Sequence, residues 1–169
     1  MRHIIAILLQ NEAGARSRVA GLFSTRGYNI ESLSVAPTDD PTVSRLTLVT
    51  TGNDSVIGQS QSQLRKLVDV VQVDDMTRGD HIERELLLLK LKVAESQLEA
   101  LTALVTDAGG RILSGALANF VIELTSSEAQ VSRFLAQASQ RGEVLEVVRS
   151  GALGILHGGA TLKLVHTGT

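Results

Sequence analysis

The order in which strand-like and helix-like apolar patterns follow one another is the feature that most constrains the fold of this chain. Residues 3–10 (HIIAILLQ) form an apolar run that is typical of a buried strand. A turn at Asn11–Gly14 follows, and a helical pattern then continues to Gly27, which we expect to end the helix as a left-handed cap. The apolar stripe of this helix consists of Ala15, Val19, Leu22 and Phe23.

The rest of the first half adds two strands, a second helix and a closing strand. Residues 28–35 are extended, a loop with two prolines and two aspartates (APTDDPT) follows, and residues 45–49 alternate in polarity. The Gly-Asn-Asp sequence at 52–54 predicts the start of a helix rich in Gln and Ser. Residues 68–75 (VDVVQVDD) predict the last strand, so the order is β-α-β-β-α-β.

The second half repeats this order. Residues 82–93 predict a strand, the following helix ends at Gly109-Gly110, and residues 120–124 and 143–150 predict further strands. The two helix stripes are Leu98, Leu101, Val105 and Ala108, and then Val131, Phe134, Leu135 and Ala138. First strands and helix-ending glycines recur about eighty positions apart, which indicates a duplicated architecture.

These patterns predict an α+β protein with two ferredoxin-like βαββαβ domains in tandem. The expected boundaries are 1–78 for the first domain, 79–158 for the second and 159–169 for a flexible tail. The first strand of each half is apolar on both sides, so we expect an apolar sheet face to remain exposed in each domain. Exposed apolar faces favour association, and the sequence therefore predicts a homodimer.

Composition excludes several classes of function. The net charge is −2 and aromatic residues make up 2%, which argues against binding to nucleic acid, since RNA-binding sheets of this kind stack bases on aromatic side chains. The chain has no cysteine, so disulfides and thiol chemistry are excluded. The apolar run near the start is too short to span a bilayer and no cleavage site follows it, which predicts a soluble, cytoplasmic protein without a membrane partner.

No set of catalytic or metal-binding residues stands out. The four histidines, His3, His81, His157 and His166, lack the spacing of a metal site, and we expect them to be solvent-facing or incidental rather than ligands. The acidic groups Asp39-Asp40, Asp74-Asp75 and Asp80 are expected in solvated loops rather than at a cation. A phosphate-binding loop, a nucleophile elbow and a dinucleotide fingerprint are all missing from the sequence.

The most informative segment runs from Asn11 to Asn29 and consists of the first helix and the turns on either side of it, which we call the frame of the helix. A helix N-terminus presents backbone N–H groups and the positive end of a dipole, which suits a carboxylate, and Gly14 would let a ligand approach the backbone. Asn11 and Asn29 each carry an amide that matches the ammonium and carboxylate of an α-amino acid. The alternative is that these residues have only a structural role, with Asn as a helix cap and Gly at turns.

The sequence of this frame resembles the small, regulatory subunit of acetolactate synthase (acetohydroxyacid synthase), whose first half is an ACT domain. The resemblance is carried by QNEAGARSRVAGLFSTRGYNIESLSVAPTDDPTVSRLTLVT (10–50), QLRKLVDVVQV (63–73), RELLLLKLK (84–92) and EVVRSG (146–151), and it covers about residues 2–155. The chain departs from the family pattern at Arg16, at 109–120 (GGRILSGALANF) and after residue 158.

This resemblance implies a subunit that is not catalytic by itself. It implies binding to and activation of a large catalytic subunit, which uses thiamine diphosphate, Mg²⁺ and FAD to condense two pyruvates or pyruvate with 2-oxobutyrate. It also implies feedback inhibition by valine, or by leucine or isoleucine, at the interface of two ACT domains. The implied effector residues are Asn11, Ala13, Gly14 and Ala15 from one chain and Asn29 and Ile30 from its partner.

Two rival functions remain open from the residues. One is an ACT-domain amino-acid sensor that acts on a different enzyme. The other is a small enzyme on a ferredoxin-like scaffold, such as an acylphosphatase, although the acidic Glu12 in the opening turn disfavours a phosphate-binding loop.

Overall fold

The computed structural model describes residues 1–26 and 28–163, and its contacts divide these residues into two compact units. The first unit consists of residues 1–82 together with 153–163, and the second consists of residues 83–152. The proposed cap at Gly27 and residues 164–169 of the expected tail lie outside the described residues. The segment 153–163, which the sequence divides between the second domain and the tail, therefore groups with the first unit.

The first unit has the predicted βαββαβ order. Its elements are β1 (Arg2–Gln10), α1 (Ala15–Ser24), β2 (Asn29–Pro37), β3 (Val43–Thr51), α2 (Asp54–Leu64) and β4 (Val70–Asp75). The strands form an antiparallel sheet in the order β2-β3-β1-β4, which leaves β2 and β4 at the edges. The α+β, ferredoxin-like architecture predicted for this half is confirmed.

Both helices of the first unit pack on one face of this sheet. Ile5, Ile7 and Leu9 of β1 form a buried core with the stripe of α1, in which Ala15, Val19 and Phe23 are each at most 1% exposed. The spacing of the apolar residues thus decides which side of the helix is buried. Asn53 caps α2 as predicted, because its side chain accepts a hydrogen bond from the Ser55 amide at 3.0 Å.

The opposite face of the first sheet is covered by residues 153–163, so the expectation of an exposed apolar face is wrong for this unit. Ile4, Ala6 and Leu8 are at most 2% exposed. The covering segment includes strand β9 (Leu153–Leu156), where Gly154 lies so close to Ile4 and Met76 that a Cβ would stand 3.1 Å and 2.6 Å from their side chains. Arg45 Nη2 fastens this segment by donating to the Gly154 carbonyl at 2.7 Å.

Burial and charge both act on Arg45 at this contact. Loss of solvent lowers the pKa of its guanidinium, and the nearby Asp74 carboxylate opposes that shift.

Farther along the covering segment, Lys163 Nζ lies 3.5 Å from Asp39 Oδ2. Residues 153–163 of the Gly-rich sequence therefore form a specific layer, because a backbone carbonyl and a glycine of this segment fit closely against the sheet.

The second unit repeats the fold. Its elements are β5 (His81–Lys92), a 3-10 turn (Glu95–Gln97), α3 (Leu98–Asp107), β6 (Arg111–Ser114), β7 (Phe120–Ser126), α4 (Glu128–Ser139) and β8 (Glu143–Arg149). The antiparallel sheet has the order β6-β7-β5-β8. The predicted second βαββαβ unit is confirmed.

The core of the second unit uses the predicted stripes. Leu101 and Val105 of α3 and Val131 and Phe134 of α4 are buried against alternate residues of β5 and β7. Gly109, where the sequence predicts that the helix ends, adopts a left-handed conformation after α3, with φ of 75°. Outward-facing apolar residues stay partly exposed here, with Leu86 at 38% and Val148 at 48%. None of the helices in the described residues is long and apolar enough to cross a membrane.

Candidate effector-binding site

The turn into α1 is made by Gly14. Gly14 is the N-cap residue, with φ of 80° and ψ of −6°, a left-handed conformation that residues with side chains rarely adopt. Among the described residues no side chain caps the helix, and its first turn contains no acidic residue. The positive end of the α1 dipole is thus left without an acidic or capping side chain, and an incoming carboxylate would be stabilised there.

Asn11 does not cap the helix but ties the turn to the neighbouring loop. Its Nδ2 donates to the Pro41 carbonyl at 2.7 Å, and its Oδ1 accepts a hydrogen bond from the hydroxyl of buried Ser44. Its backbone N–H donates to the Thr42 carbonyl at 2.8 Å. Because the Asn11 side chain is itself exposed, one N–H of its amide can still reach a ligand.

Arg18, which is not among the site residues predicted from the sequence, lies beside Gly14. A Cβ on Gly14 would stand 3.1 Å from Arg18 Nη1, so the guanidinium borders the glycine. Arg18 Nε donates to Asp69 Oδ2 at 2.6 Å. The i, i+4 spacing of Gly14 and Arg18 is visible in the sequence, whereas Asp69 lies 51 residues away along the chain.

The two alanines of the predicted site have different surroundings. Ala13 is exposed, and its carbonyl oxygen is 3.5 Å from Arg18 Nη2. Ala15 is 1% exposed and belongs to the core. Ala13 can therefore offer only its backbone and methyl group at the surface, while Ala15 fixes the first turn of α1 against the sheet.

Asn29 and Ile30 lie at the start of β2. Asn29 is exposed, and its side-chain amide has no hydrogen-bond partner among the described residues, although its carbonyl accepts from Thr50 Oγ1 at 2.8 Å. Ile30 is half-buried and packs against the helix-side core. An amide and an apolar side chain thus stand next to each other at an edge strand.

Within one chain, the structure places the two asparagines at opposite ends of the sheet. Asn29 pairs with Thr51, which also pairs with Arg2 at the start of β1, whereas Asn11 follows the end of β1. A strand of nine residues is about 26 Å long. Asn11, Ala13, Gly14 and Ala15 are brought together at the first turn of α1, but Asn29 and Ile30 do not join them in the same chain.

His3 does not face solvent, so that part of the expectation for the histidines is wrong for it. It is 2% exposed and lies between two carboxylates, Asp54 and Asp75. Among the described residues, no group of three or more His, Cys, Asp or Glu side chains could hold a metal ion.

Comparison with protein families identifies both halves of the chain. A family model described as an AHAS small subunit-like ACT domain matches residues 5–72. A second one, described as the small subunit of acetolactate synthase, matches residues 84–158. Each model covers most of one of the two βαββαβ units.

Whole-chain relatives agree with these matches. The small subunit of acetolactate synthase isozyme 3 from Escherichia coli is 41% identical over 163 residues, which is 96% of this chain and 100% of the relative. The acetolactate synthase small subunit of Haemophilus influenzae is 41% identical, over 94% of this chain and 97% of the relative. The crystal structure of the acetolactate synthase small subunit from Thermotoga maritima superposes with a TM-score of 0.83 at 30% identity, and the match covers 95% of this chain and 99% of that one. The chain belongs to the family of acetolactate synthase small subunits.

Proposed function

We propose that this chain regulates an acetolactate synthase by binding its large catalytic subunit, raising its activity and making it sensitive to inhibition by valine. Leucine and isoleucine are the alternative effectors. The family and the names of the whole-chain relatives support the role of small subunit. Condensation of two pyruvates, or of pyruvate with 2-oxobutyrate, belongs in this proposal to the catalytic subunit, which would also hold thiamine diphosphate, Mg²⁺ and FAD.

The effector site of this proposal is shared by two copies of the chain. β2 is an edge strand, so its outer backbone groups can pair with the same strand of a second copy. Antiparallel pairing centred on Leu33 would set Asn29 of the partner subunit opposite Pro37, at the sheet end where Asn11 and Gly14 lie. The single observation that carries the site is the turn at Gly14, which leaves the positive end of α1 without a capping side chain.

Each part of the amino acid has a counterpart in this arrangement. The first amides of α1 and the neighbouring Arg18 guanidinium would attract the carboxylate of the effector. The side-chain amides of Asn11 and of the partner's Asn29 would receive the ammonium and the remaining carboxylate oxygen. The partner's Ile30 would contact the branched side chain. An aliphatic effector matches these residues, because Ile30, the residue that would contact its side chain, is itself aliphatic.

Inhibition in this scheme is a linkage effect. Valine lowers activity only if it binds one arrangement of the complex more tightly than the other, and such couplings amount to about 1–3 kcal/mol. By reciprocity, an inhibited complex holds valine more tightly than the isolated small subunit does if the catalytic subunit favours the same arrangement.

Calorimetric titration with valine tests the site. Wild type should bind saturably, and Gly14→Asp should lose binding, because the new carboxylate would pair with Arg18 and repel that of the ligand. Gly58→Asp is the matched control, since Gly58 lies in α2 and a Cβ there has no atom within 4 Å. Equal binding by wild type and Gly14→Asp would overturn the site.

Mixing two defective variants tests whether the site is shared. Gly14→Asp and Asn29→His should each lose binding as homodimers. In a mixed dimer, one site would carry both substitutions and the other would carry neither, so half of the valine capacity should return. If the mixture still binds no valine, although mass spectrometry shows that mixed dimers are present, both residues belong to a site within one chain.

Reconstitution tests the role in the complex. Adding the chain to the purified catalytic subunit should raise the rate of acetolactate formation and make it sensitive to valine. If the chain binds valine but neither binds nor activates the synthase, it is an amino-acid sensor for another enzyme.

A further inference from the structure

A buried histidine at the start of β1 is held between two carboxylates. His3 Nε2 lies 3.0 Å from Asp54 Oδ1, and His3 Nδ1 lies 3.2 Å from Asp75 Oδ2. Asp54 is the first residue of α2 and Asp75 is the last residue of β4. His3 is 2% exposed, so water cannot replace either contact.

Donor and acceptor chemistry sets the protonation state that satisfies this geometry. An ionised carboxylate only accepts hydrogen bonds, and a neutral imidazole has a single N–H. Both contacts are therefore hydrogen bonds only when both ring nitrogens carry a proton. In the neutral ring, one buried nitrogen lone pair would face a carboxylate oxygen, which is repulsive.

Both carboxylates are held in the ionised form. Hydrogen bonds from His3 and then from Arg78 lower the pKa of Asp54. For Asp75, burial raises the pKa, but hydrogen bonds from Thr77, His3 and Gln61 outweigh it, and the net pKa is lowered. The acceptors thus stay charged over the range in which histidine titrates.

Among the described residues, the ion pairs around the ring provide one cation other than His3 for two carboxylates. Asp54 and Asp75 supply two negative charges, and Arg78 supplies one positive charge through an Nη2–Oδ2 contact of 2.6 Å with Asp54. Gln61 and Thr77 are neutral donors to Asp75. On the strand of His3 itself, the Met1 ammonium donates to the Gly52 carbonyl at 3.2 Å. A proton on the ring would supply the charge that neutralises the remaining carboxylate.

We propose that His3 is a proton-dependent clasp that joins the start of β1 to the first turn of α2 and to the end of β4. The clasp extends into the segment that leaves the first unit, because Thr77 Oγ1 accepts the Ile4 amide at 3.0 Å while the Thr77 amide donates to Asp75. Loss of the proton removes one of the two bonds to the ring and leaves an excess negative charge, so the three elements separate more easily at alkaline pH.

The sign of the pH dependence follows from proton counting. An unfolded histidine releases its proton around pH 6.5, whereas the proposed clasp needs the proton for both of its hydrogen bonds. With the clasp closed, the folded state binds more protons than the unfolded state above that pH, so the free energy of unfolding falls as the pH rises. Below it, both states carry the proton and the stabilisation is fully present.

Denaturant unfolding between about pH 6 and pH 9 tests the clasp across the range in which histidine changes charge. The unfolding midpoint of the wild type should fall as the pH rises, and this fall should be lost in His3→Gln. His157→Gln is the matched control, because His157 also pairs with a carboxylate, Asp80, but its side chain is 61% exposed. His157→Gln should retain the wild-type fall. An equal fall in wild type and His3→Gln would overturn the proposal.

A measurement on the wild type alone decides the case if His3→Gln does not fold. Nitrogen NMR of the imidazole rings at about pH 7.5 should show one histidine with both ring nitrogens protonated. If every ring has one bare nitrogen at that pH, His3 is neutral and the clasp does not exist.

Discussion

Arg18 and Asp69 form an ion pair that joins the first turns of α1 to the segment entering β4, with Arg18 Nε 2.6 Å from Asp69 Oδ2. The two partners differ in exposure, since the Arg18 side chain is 49% exposed and the Asp69 side chain 11%. Water can solvate Arg18 when its partner is removed, but it cannot easily reach Asp69. Removing Arg18 should therefore cost more stability than removing the charge of Asp69.

We expect Arg18→Met to destabilise the chain by about 1–3 kcal/mol, because it leaves an almost buried carboxylate without its donor. Asp69→Asn should cost about 1 kcal/mol or less, since the half-exposed guanidinium returns to solvent. Urea unfolding measures both, and the double variant gives the coupling. Equal losses for the two single variants would contradict the asymmetry.

Gly14 and Gly21 should respond oppositely to alanine. At Gly14 the positive φ strains any side chain and the new Cβ would press on Arg18 Nη1, so Gly14→Ala should lower the free energy of unfolding by about 1 kcal/mol or more. Gly21 lies within α1 with open space around a Cβ, and Gly21→Ala should raise that free energy by about 0.5–1 kcal/mol. Thermal unfolding of the two variants provides the check, and a stabilised Gly14→Ala would refute the left-handed turn.

Glu85 in β5 depends on Arg149 in β8. Glu85 is 3% exposed and accepts from Arg149 Nε at 2.6 Å and from Nη2 at 3.1 Å, and this hydrogen bonding raises the pKa of the Arg149 guanidinium. Arg149→Met should cost about 3 kcal/mol, because the buried carboxylate loses both donors.

The double variant Glu85→Leu/Arg149→Met is the control for this pair. It should recover much of the loss, since an apolar pair of similar volume has no desolvated charge. Chemical denaturation of the full chain measures both variants. A double variant as unstable as Arg149→Met would show that packing, rather than the stranded charge, dominates.

Gly154 tests the layer that covers the first sheet. Gly154→Val should destabilise the chain by about 1–3 kcal/mol, because the side chain would collide with Met76 and Ile4. Gly159→Val, in the same segment but with no atom within 4 Å of a Cβ, should be nearly neutral. The first variant should also bind more of an apolar dye, since lifting β9 exposes Ile4, Ala6 and Leu8. Similar unfolding midpoints for the two variants would exclude a packed layer at Gly154.

The regular parts of the fold could be predicted from local patterns. The stripe of α1 depends on residues three to four apart and the Asn53 cap of α2 on a residue two positions on, and such short spacings are visible in one sequence. The predicted site residues of the first turn, Asn11 to Ala15, also lie close together because they are close in sequence.

The features that could not be predicted depend on partners far apart along the chain. His3 is 51 residues from Asp54 and 72 from Asp75, so nothing near it marks it as buried. β9 has four residues in a Gly-rich segment, too few for a period to emerge. The covered sheet face was missed for the same reason, since apolar residues on both sides of β1 fit an intermolecular partner as well as an intramolecular one.

The return of residues 153–163 to the first unit makes the second unit an insertion rather than an appended domain. The chain crosses between the units twice. After a single proteolytic cut in the second unit, each of the two fragments therefore still contains part of the first unit. Truncation near residue 80 would remove part of the first unit as well. A faithful minimal version would instead join residue 82 to residue 153 directly, and the Asp80 carbonyl, which accepts the His157 amide at 2.9 Å, shows that the two ends already run side by side.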